Sequence, residues 1–448
     1  MPTVPLPKGI SGLQSQPKQQ EWLVNLFPLD NGAIRAPGVE LIATGSGECR
    51  GSSEWRDGYT YMVSGTSLVR VNSDDTVTTI GTIAGTADCV FSQGQTNLVI
   101  IVKGGAGYYY NTTDGLVQIT DTDFVPSVSV DFIDGRHVFI PYDGDPAFYS
   151  EIDAPGSISP LSFFDAEELP DKNRIVINVQ NQIAIGGADS FEFFKTNIDP
   201  DVVFTRREGG RVDVGYIGGL TRFASTFAFI GRKRGQAAKI YAMGSGDAQG
   251  FSTPAIDEIL AGYTDAQKQA AEGYRFEWKG LEILVFTLEN HTFAFANGEW
   301  VFLDSTLDGL VTGPWRVKGV SYSNNKYIVG DRTSSNIGTL SDVATEYGYD
   351  VEFEVKTFIR GERDSNFDIT SIEIDCLTGQ KLTTETIGIS FSRDGRSWSD
   401  FSYESLGIIG EYEIRVLWQP VGRFENFCGI RIRSTADVKF SLESIQYT

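Results

Sequence analysis

Cysteine and histidine are scarce in this sequence of 448 residues, which contains four cysteines and two histidines. The cysteines show no C-x-x-C spacing and lie within apolar runs, at Cys49, Cys89, Cys376 and Cys428. Because structural zinc sites are built from closely spaced cysteine and histidine, a zinc site has almost no material here. We therefore expect buried free thiols in a protein of a reducing compartment.

Long apolar runs are also missing from the sequence. No stretch approaches the roughly 18 consecutive apolar residues of a membrane helix. The first residues, Met1 to Pro7, contain no apolar core of a signal peptide. These features predict synthesis in a cytoplasm, with no membrane partner and no export signal.

Basic residues are outnumbered by acidic ones, 37 to 59, which gives a formal net charge of −22. A surface of this sign repels phosphate, so the composition argues against a DNA- or RNA-binding module. One dense basic cluster stands out, Arg232-Lys233-Arg234. A solvated hairpin turn explains this cluster, and docking to an acidic protein neighbour is the sharper alternative.

The sequence is rich in residues that favour β-strands and tight turns. Aromatic residues make up 12% of the chain and there are 49 glycines, whereas helix-forming runs are scarce. Alternating apolar runs meet at tight turns such as Asp134-Gly135 and Asn324-Asn325. These units recur roughly every 40 to 50 residues, which is the blade period of a β-propeller. The sequence predicts an all-β protein with a propeller of six or seven blades over residues 1–345, including an extended N-terminal arm.

A short helical insertion interrupts the strands. Thr253-Pro254 places proline at the first position of a helix that Ala255 to Leu260 continue. Thr264 opens a second helix with Gln267 at the capping-box spacing, and Gly273 is expected to end it. A projecting contact surface and a cap over one blade edge both fit this insertion.

Residues 346–448 differ in character and form short alternating strands. About 100 residues of this pattern fit a compact β-sandwich, jelly-roll-like in kind. In the strand Arg415 to Trp418, Val416 and Trp418 share one face because side chains alternate along a strand. Trp418 is therefore predicted to lie in the core of this sandwich.

No catalytic, cofactor-binding or metal-binding residue is assigned from the sequence. A nucleophilic triad would need His137 or His291 as its base, and no G-x-S-x-G elbow accompanies them. Both histidines lie in alternating apolar runs, where a core or turn position is favoured. Carboxylates are so plentiful that a glycosidase pair among them would be weak evidence. The acidic residues considered are Asp131, Asp143, Asp145, Asp189 and Glu192.

Three further turns are interpreted as structural. Asp121-Thr122-Asp123 and Asp143-Gly144-Asp145 could bind calcium, but neither extends to a twelve-residue loop with a terminal glutamate. Ser392 to Trp398 resembles the Asp-box turn of sialidases, with one residue missing between the aspartate and the glycine. Even the full Asp-box is a hairpin in which the aspartate accepts turn N–H groups. We therefore predict a protein that is not an enzyme and uses no cofactor.

Several segments, in order along nearly the whole chain, resemble one protein family. They are Asn25-Leu26-Phe27-Pro28, Ala36-Pro37-Gly38-Val39, Gly186-Gly187, Phe191-Glu192-Phe193-Phe194, Gly209 to Gly219, Tyr263 to Phe276, Val329-Gly330-Asp331, and Arg415 to Arg423 followed by Arg431. On these segments the sequence resembles the packaged-DNA-stabilisation, or tail-hub (nozzle), proteins of short-tailed bacteriophages.

The resemblance implies a structural protein of the virion tail, synthesised in the cytoplasm of a host bacterium. It implies a homo-hexamer below the portal-adaptor ring that extends the DNA channel, retains packaged DNA and holds the tail plug or needle. A tailspike or fibre would be a further neighbour, and genomic DNA would pass without specific binding.

Two alternatives from other functional classes stay open at this point. One is a propeller glycosidase with two carboxylates about 5 to 9.5 Å apart in an open pocket. The other is a carbohydrate-binding adhesin at the tail tip that uses exposed aromatic side chains such as Trp300 or Trp315.

Overall fold

Strands dominate the computed structural model of the protein, which describes residues 2–166, 171–197, 202–307, 311–361, 366–438 and 440–448. Seven antiparallel units of four strands, named here blades 1 to 7, follow one another along the chain. Blades 1 to 5 are separate sheets, whereas blade 6 is part of a nine-stranded sheet and blade 7 of a six-stranded sheet. Blade 1 contains Cys49–Glu54, Thr60–Ser64, Ser67–Val71 and Val77–Thr82; blade 2 contains Cys89–Gln93, Leu98–Val102, Gly107–Asn111 and Gly115–Gln118; blade 3 contains Ser127–Ile133, Arg136–Pro141, Ala147–Tyr149 and Phe163–Phe164. Blade 4 contains Asn173–Val179, Gln182–Gly187, Phe191–Thr196 and Phe204–Val212; blade 5 contains Gly215–Phe223, Thr226–Arg232, Lys239–Met243 and Gln249–Gly250. Blade 6 contains Glu272–Trp278, Leu281–Thr287, Thr292–Ala296 and Glu299–Phe302; blade 7 contains Val317–Ser323, Lys326–Asp331, Asn336–Ser341 and Gly38–Thr44.

The blades form a closed ring. The first strand of each blade contacts the first strand of the next, and that of blade 7 contacts that of blade 1. The predicted β-propeller is therefore confirmed, with seven blades. Turn chemistry explains the hairpins, because Asn324 and Asn325 adopt positive φ angles of 51° and 59° at the predicted turn of blade 7.

An N-terminal strand closes the ring. Gly38–Thr44 pairs antiparallel with Asn336–Ser341, from Ser341 opposite Gly38 to Asn336 opposite Thr44. Blade 7 thus combines one strand from near the start of the chain with three strands from about 300 residues later. The two ends of the propeller sequence are held together by main-chain hydrogen bonds.

Two layers of strands pack on a shared core and form the C-terminal β-sandwich, and the second layer continues the sheet of blade 6. One contains Thr3–Val4, Leu26–Leu29, Gly32–Arg35, Ile372–Cys376, Val416–Trp418 and Ser441–Tyr447; the other contains Trp22–Val24, Phe353–Arg360, Thr386–Ser392, Ser402–Ser405 and Phe427–Ser434. Three short ladders pair Asp304–Leu307 with Val311–Pro314, Thr345–Glu346 with Tyr349–Asp350, and Asn366–Ile369 with Gly422–Glu425. The predicted sandwich is confirmed.

The N-terminal arm pairs with the sandwich, although the sequence had grouped it with the propeller. Leu23 lies opposite Val355, Ala33 lies opposite Leu442, and Val24 also pairs in parallel with Phe302 of blade 6. One hydrophobic cluster joins residues of the arm, blades 6 and 7 and the sandwich. The arm docks there because its apolar side chains complete this shared core. The expected domain boundaries, 1–345 and 346–448, stay a prediction.

The helical insertion consists of two α-helices, Pro254–Ala261 and Asp265–Gln269, and a separate 3₁₀ turn spans Pro17–Gln19. The capping box between Thr264 and Gln267 is confirmed. The expected end at Gly273 is wrong, because Gly273 lies inside the first strand of blade 6. A Cβ atom there would lie 2.5 Å from the backbone of Leu220 in blade 5, so close packing of two blades explains this glycine.

Candidate functional site

The first strands of the blades surround a central cavity of about 1100 Å³. Its wall carries side chains of both charges, including Arg50, Asp88, Lys103, Asp131, Asp143, Lys172, Arg174, Arg222, Glu272 and Lys318. A phosphate group in this cavity would therefore meet carboxylates as well as cations.

A network of ion pairs lies where the ring closes. Lys318 Nζ of blade 7 lies 2.6 Å from Asp88 Oδ1 and 2.8 Å from Glu272 Oε1. Arg332 Nη2 lies 3.2 Å from Glu272 Oε2. Burial alone would lower the pKa of Lys318, but the two carboxylates raise it above its ordinary value. Lys318 therefore stays protonated at neutral pH, and its two ion pairs link blades 6 and 7 with Asp88, which directly precedes blade 2.

Other cations of the wall also have partners. Arg222 contacts the Asp131 carboxylate, and Arg174 Nη1 donates to the carbonyl oxygen of Tyr216 at 3.0 Å. The Arg50 guanidinium donates to the carbonyl oxygens of Ala87, Gly65 and Ile83 at 2.7, 2.9 and 3.1 Å. The Arg174 bond joins blades 4 and 5, the Arg222 pair joins blades 5 and 3, and the Arg50 bonds hold blade 1 and the segment that follows it.

The five acidic residues considered from the sequence do not converge. Asp131 and Asp143 line the central cavity. Asp145 Oδ1 accepts from Asn173 Nδ2 at 2.7 Å, and the Asp189 N–H donates to Asp171 at 2.7 Å. Glu192 is buried and pairs with Arg206 at 2.8 Å. The carboxylates of Asp131 and Glu192 form ion pairs and that of Asp145 accepts a side-chain hydrogen bond, so these three have structural partners.

Both histidines have structural surroundings. His137 is buried, its Nδ1 lies 3.1 Å from Ser92 Oγ, and burial lowers its pKa to about 3. Burial also lowers the pKa of His291, whose Nδ1 lies 2.5 Å from the Tyr263 hydroxyl. Ser92 is buried as well, in the first strand of blade 2, and the contact joins this strand to blade 3. The core interpretation of His137 is confirmed.

The remaining motifs are turns. Asp394 accepts from the N–H groups of Ser397 and Arg396 at 2.7 and 2.8 Å, and these bonds lower the pKa of its carboxyl. Asp121 likewise accepts from the N–H groups of Asp123 and Ile158 at 2.9 and 3.1 Å. Within the described ranges, no group of three or more histidine, cysteine or acidic side chains could hold a metal ion.

The basic cluster Arg232-Lys233-Arg234 forms an ion pair within the same chain. Arg232 Nη1 lies 2.8 Å from Asp265 Oδ2 at the start of the second short helix, whereas Lys233 and Arg234 are exposed. None of the three is among the described residues that line the central cavity. The acidic partner of Arg232 is therefore its own helical insertion.

The two tryptophans offered as exposed contacts are fully buried, and that expectation is wrong. Trp300 and Trp315 are 2% and 1% exposed. Trp300 Nε1 donates to the carbonyl oxygen of Phe251 at 3.0 Å, and Trp315 Nε1 donates to Glu346 Oε1 at 2.7 Å. Both rings pack against other aromatic rings, which is where the apolar area of a large side chain is best removed from water.

The cysteines are free thiols, as predicted. Cys49, Cys89 and Cys428 are buried and Cys376 is partly buried. Burial raises the pKa of Cys428 to about 12, so this thiol is unreactive.

None of the helices in the described part of the chain is long and apolar enough to cross a membrane.

A seam of buried charge joins the arm, the propeller and the sandwich. Arg35 donates to the carbonyl oxygens of Ala436 at 2.5 Å, of Ala344 at 3.1 Å and of Val351. Lys356 Nζ lies 3.9 Å from the centroid of the Trp22 ring. The sequence contained no signal for this seam, because nothing local marks an arginine or lysine as buried.

Glu346 lies in the same region and supports a prediction about pH. Burial raises its pKa to about 7 in the folded protein, although Ser305 and Trp315 donate to it. The folded state therefore holds a proton that the unfolded state has released between about pH 4.5 and 7, so stability falls as the pH rises through this window. Glu346→Gln should remove this loss, and the variant should gain on the order of 2 kcal/mol relative to the parent between pH 5 and pH 8.

Urea unfolding of both proteins at pH 5 and pH 8 measures this difference. Glu413→Gln is the matched control, because Glu413 is exposed and its loss should leave the pH dependence unchanged. An equal change in stability for Glu346→Gln at both pH values would contradict the assignment.

Comparison with known proteins decides the family. A family model described as "Bacteriophage P22 Gp10, beta-propeller" matches residues 13–345, and one described as "Bacteriophage P22 Gp10, beta-sandwich" matches residues 352–448. The chain belongs to this family. It is 22% identical over 407 residues to the "Tail hub protein gp10" of Salmonella phage P22, which covers 86% of this chain and 84% of that protein.

The family match and the similarity to the P22 tail hub protein show that this chain is a structural tail hub protein of the phage virion rather than an enzyme. Solved structures with a similar fold include streptogramin B lyase, with a TM-score of 0.44, 11% identity and coverage of 67% of this chain and 95% of that one. The WD40 propeller domain of Doa1 has a TM-score of 0.42, 15% identity and coverage of 68% and 97%. Nothing about function follows from these two similarities.

Proposed function

We propose that this Gp10-family chain forms a closed ring of six copies below the portal-adaptor ring of a short-tailed phage. The ring extends the DNA channel, retains the packaged genome and holds the tail plug or needle, and a tailspike or fibre is a further neighbour. The observation that carries the proposal is the match of both family models, in order, over almost the whole chain.

The construction of the chain supports such a role. Arm, propeller and sandwich share one hydrophobic cluster, so the three parts form a body that can carry load without hinging. Among the described residues, no group of three or more histidine, cysteine or acidic side chains could hold a metal ion, and both histidines lie in structural surroundings. A rigid body with separate propeller and sandwich surfaces is suited to binding several other tail proteins at once.

The copy number is the direct test of the ring. Identical subunits joined by heterologous contacts that close produce cyclic symmetry. Cryo-electron microscopy of intact tails, refined without imposed symmetry, is expected to reveal six copies of this chain around the tail axis. A different copy number, or the absence of the chain from the tail, would refute the proposal.

A passive conduit predicts weak binding to DNA. Six copies of a chain with charge −22 would carry −132, and each phosphate–cation contact would add to the barrier against DNA movement. We expect the purified protein to bind duplex DNA with a Kd above about 10⁻⁵ M near physiological salt. Fluorescence anisotropy with a labelled duplex measures this value.

The control is a variant in which Arg232, Lys233 and Arg234 are replaced by alanine, and it should bind equally weakly. Sub-micromolar binding by the parent protein that weakens steeply with salt and disappears in this variant would contradict the passive conduit. If binding is as weak as expected, retention of the genome must come from steric closure by the plug.

A further inference from the structure

Lys356 is a buried lysine whose amino group faces an amide instead of a carboxylate. The residue is 4% exposed, and in the described part of the chain its Nζ forms no ion pair. The other buried lysine of this part, Lys268, lies 3.3 Å from Asp265 Oδ1. Because burial penalises the charged form of an amine, a buried lysine without a paired carboxylate loses its proton more easily than an exposed one.

Two tryptophan rings and one glutamine enclose the amino group of Lys356. Its Nζ lies 3.9 Å from the centroid of the Trp22 ring and 5.7 Å from that of the Trp398 ring. The side-chain carbonyl oxygen of Gln20 accepts a hydrogen bond from this Nζ at 3.1 Å. An amine and an amide carbonyl group therefore meet in a site that is largely closed to water.

The register of the sheet explains why these two side chains meet. Lys356 lies directly opposite Trp22 in the ladder between the arm and the sandwich. Gln20 precedes Trp22 by two residues and has extended backbone angles, with φ −79° and ψ 126°. Side chains two residues apart on a strand share a face, and long side chains reach diagonal neighbours on the adjacent strand. Folding thus holds the amine against the carbonyl group, which removes the entropic cost of an encounter between them.

The charges around Lys356 favour its neutral form. Burial, together with the charge of Arg431, lowers the pKa of Lys356 to about 8, although Glu354 acts in the opposite direction. Roughly a tenth of these side chains are then neutral at pH 7, and the neutral amine is the nucleophilic form. Glu354 lies on the same face of the strand and accepts from Trp22 Nε1 at 2.8 Å, so a carboxylate is present beside the pair to carry a proton.

We propose that Lys356 and Gln20 join in an intramolecular isopeptide bond. The neutral Nζ of Lys356 attacks Cδ of Gln20, the Nζ–Cδ bond forms, and the bond from Cδ to Nε2 breaks. The proton that the lysine nitrogen loses passes through the Glu354 carboxylate to the leaving nitrogen, which departs as ammonia. Atoms and charges balance without an oxidant or a further reactant. The bond forms once in each chain and ties the N-terminal arm covalently to the sandwich.

Mass spectrometry of the purified full-length protein tests the bond. After overnight incubation at pH 9, where most of the Lys356 side chains are neutral, the intact protein should be lighter than its sequence mass by one molecule of ammonia. Trypsin does not cleave after an acylated lysine. The digest should therefore contain a branched peptide that joins residues 19–35 to residues 333–360.

Two variants serve as controls. Lys356→Arg keeps a positive charge over the Trp22 ring but has no nucleophilic amine, so it should have its full sequence mass and give no branched peptide. Glu354→Gln keeps an acceptor for the Trp22 N–H group but cannot carry the proton, so its bond should form at least about tenfold more slowly.

The parent protein alone can overturn the proposal. A full sequence mass and no branched peptide after the incubation would leave the hydrogen bond to Gln20 and the contact with Trp22 as the whole role of Lys356. A loss of ammonia that persists in Lys356→Arg would place the reaction elsewhere in the chain. An unchanged rate in Glu354→Gln would contradict the proton transfer assigned to Glu354.

Discussion

Arg35→Met is expected to lower the free energy of unfolding by about 3–5 kcal/mol. Arg35 is 6% exposed, and its guanidinium donates to three main-chain carbonyl groups that join the end of blade 7 to the sandwich. Methionine fills a similar volume but donates no hydrogen bond. Three buried carbonyl oxygens would lose their partner, and each unsatisfied group costs about 1–3 kcal/mol.

Burial lowers the pKa of Arg35 to about 10, so the side chain is still protonated at neutral pH. The measurement is made at pH 8, above the pKa of about 7 of Glu346, because Arg35 interacts electrostatically with that carboxyl. Urea or guanidinium unfolding followed by circular dichroism measures the loss of stability, with Arg415→Met as the control. Arg415 is exposed and pairs with Glu373 at 2.6 Å, and loss of an exposed ion pair costs at most about 1 kcal/mol. Similar losses in the two variants would contradict the role assigned to Arg35.

The class of fold could be predicted because its signals are local. Strands are indicated by the alternation of apolar residues, and hairpin turns by asparagine, aspartate and glycine. Both patterns are set by residues that are close together in the sequence. The exact number of blades could not be predicted, because blade 7 takes its outer strand from Gly38–Thr44, far away in the sequence. The strands with which the N-terminal arm pairs could not be predicted for the same reason, since its apolar residues fit any sheet that offers a matching face.

Contacts between distant parts of the sequence also decide which side chains are buried and which charged groups form pairs. Trp300 follows a polar turn and Trp315 follows a proline, so nothing in their neighbourhood indicates that both rings are enclosed. Lys318, Asp88 and Glu272 come from three blades and meet only after the ring has closed. The absence of an enzymatic motif was easier to predict, because a triad or a metal site needs residue types that the sequence hardly contains.

Trp418→Ala is expected to destabilise the sandwich by about 3–5 kcal/mol. The alternation of the strand predicted a core position, and Trp418 is 4% exposed. Its indole Nε1 also donates to the carbonyl oxygen of Ser402 at 3.0 Å, so alanine would leave both a cavity and an unpaired carbonyl. Chemical unfolding monitored by circular dichroism measures the loss.

Leu417→Ala provides the control within the same strand, because Leu417 lies on the opposite face and is only partly buried. Its loss should cost about 1 kcal/mol, since less apolar area is returned to water. Trp418→Phe should fall between the two, because phenylalanine restores most of the packing but not the hydrogen bond to Ser402. A loss for Trp418→Ala no larger than that for Leu417→Ala would contradict the core role assigned to Trp418. The expected order, with alanine at 418 the most damaging, would assign most of the effect to the ring itself and the remainder to its N–H group.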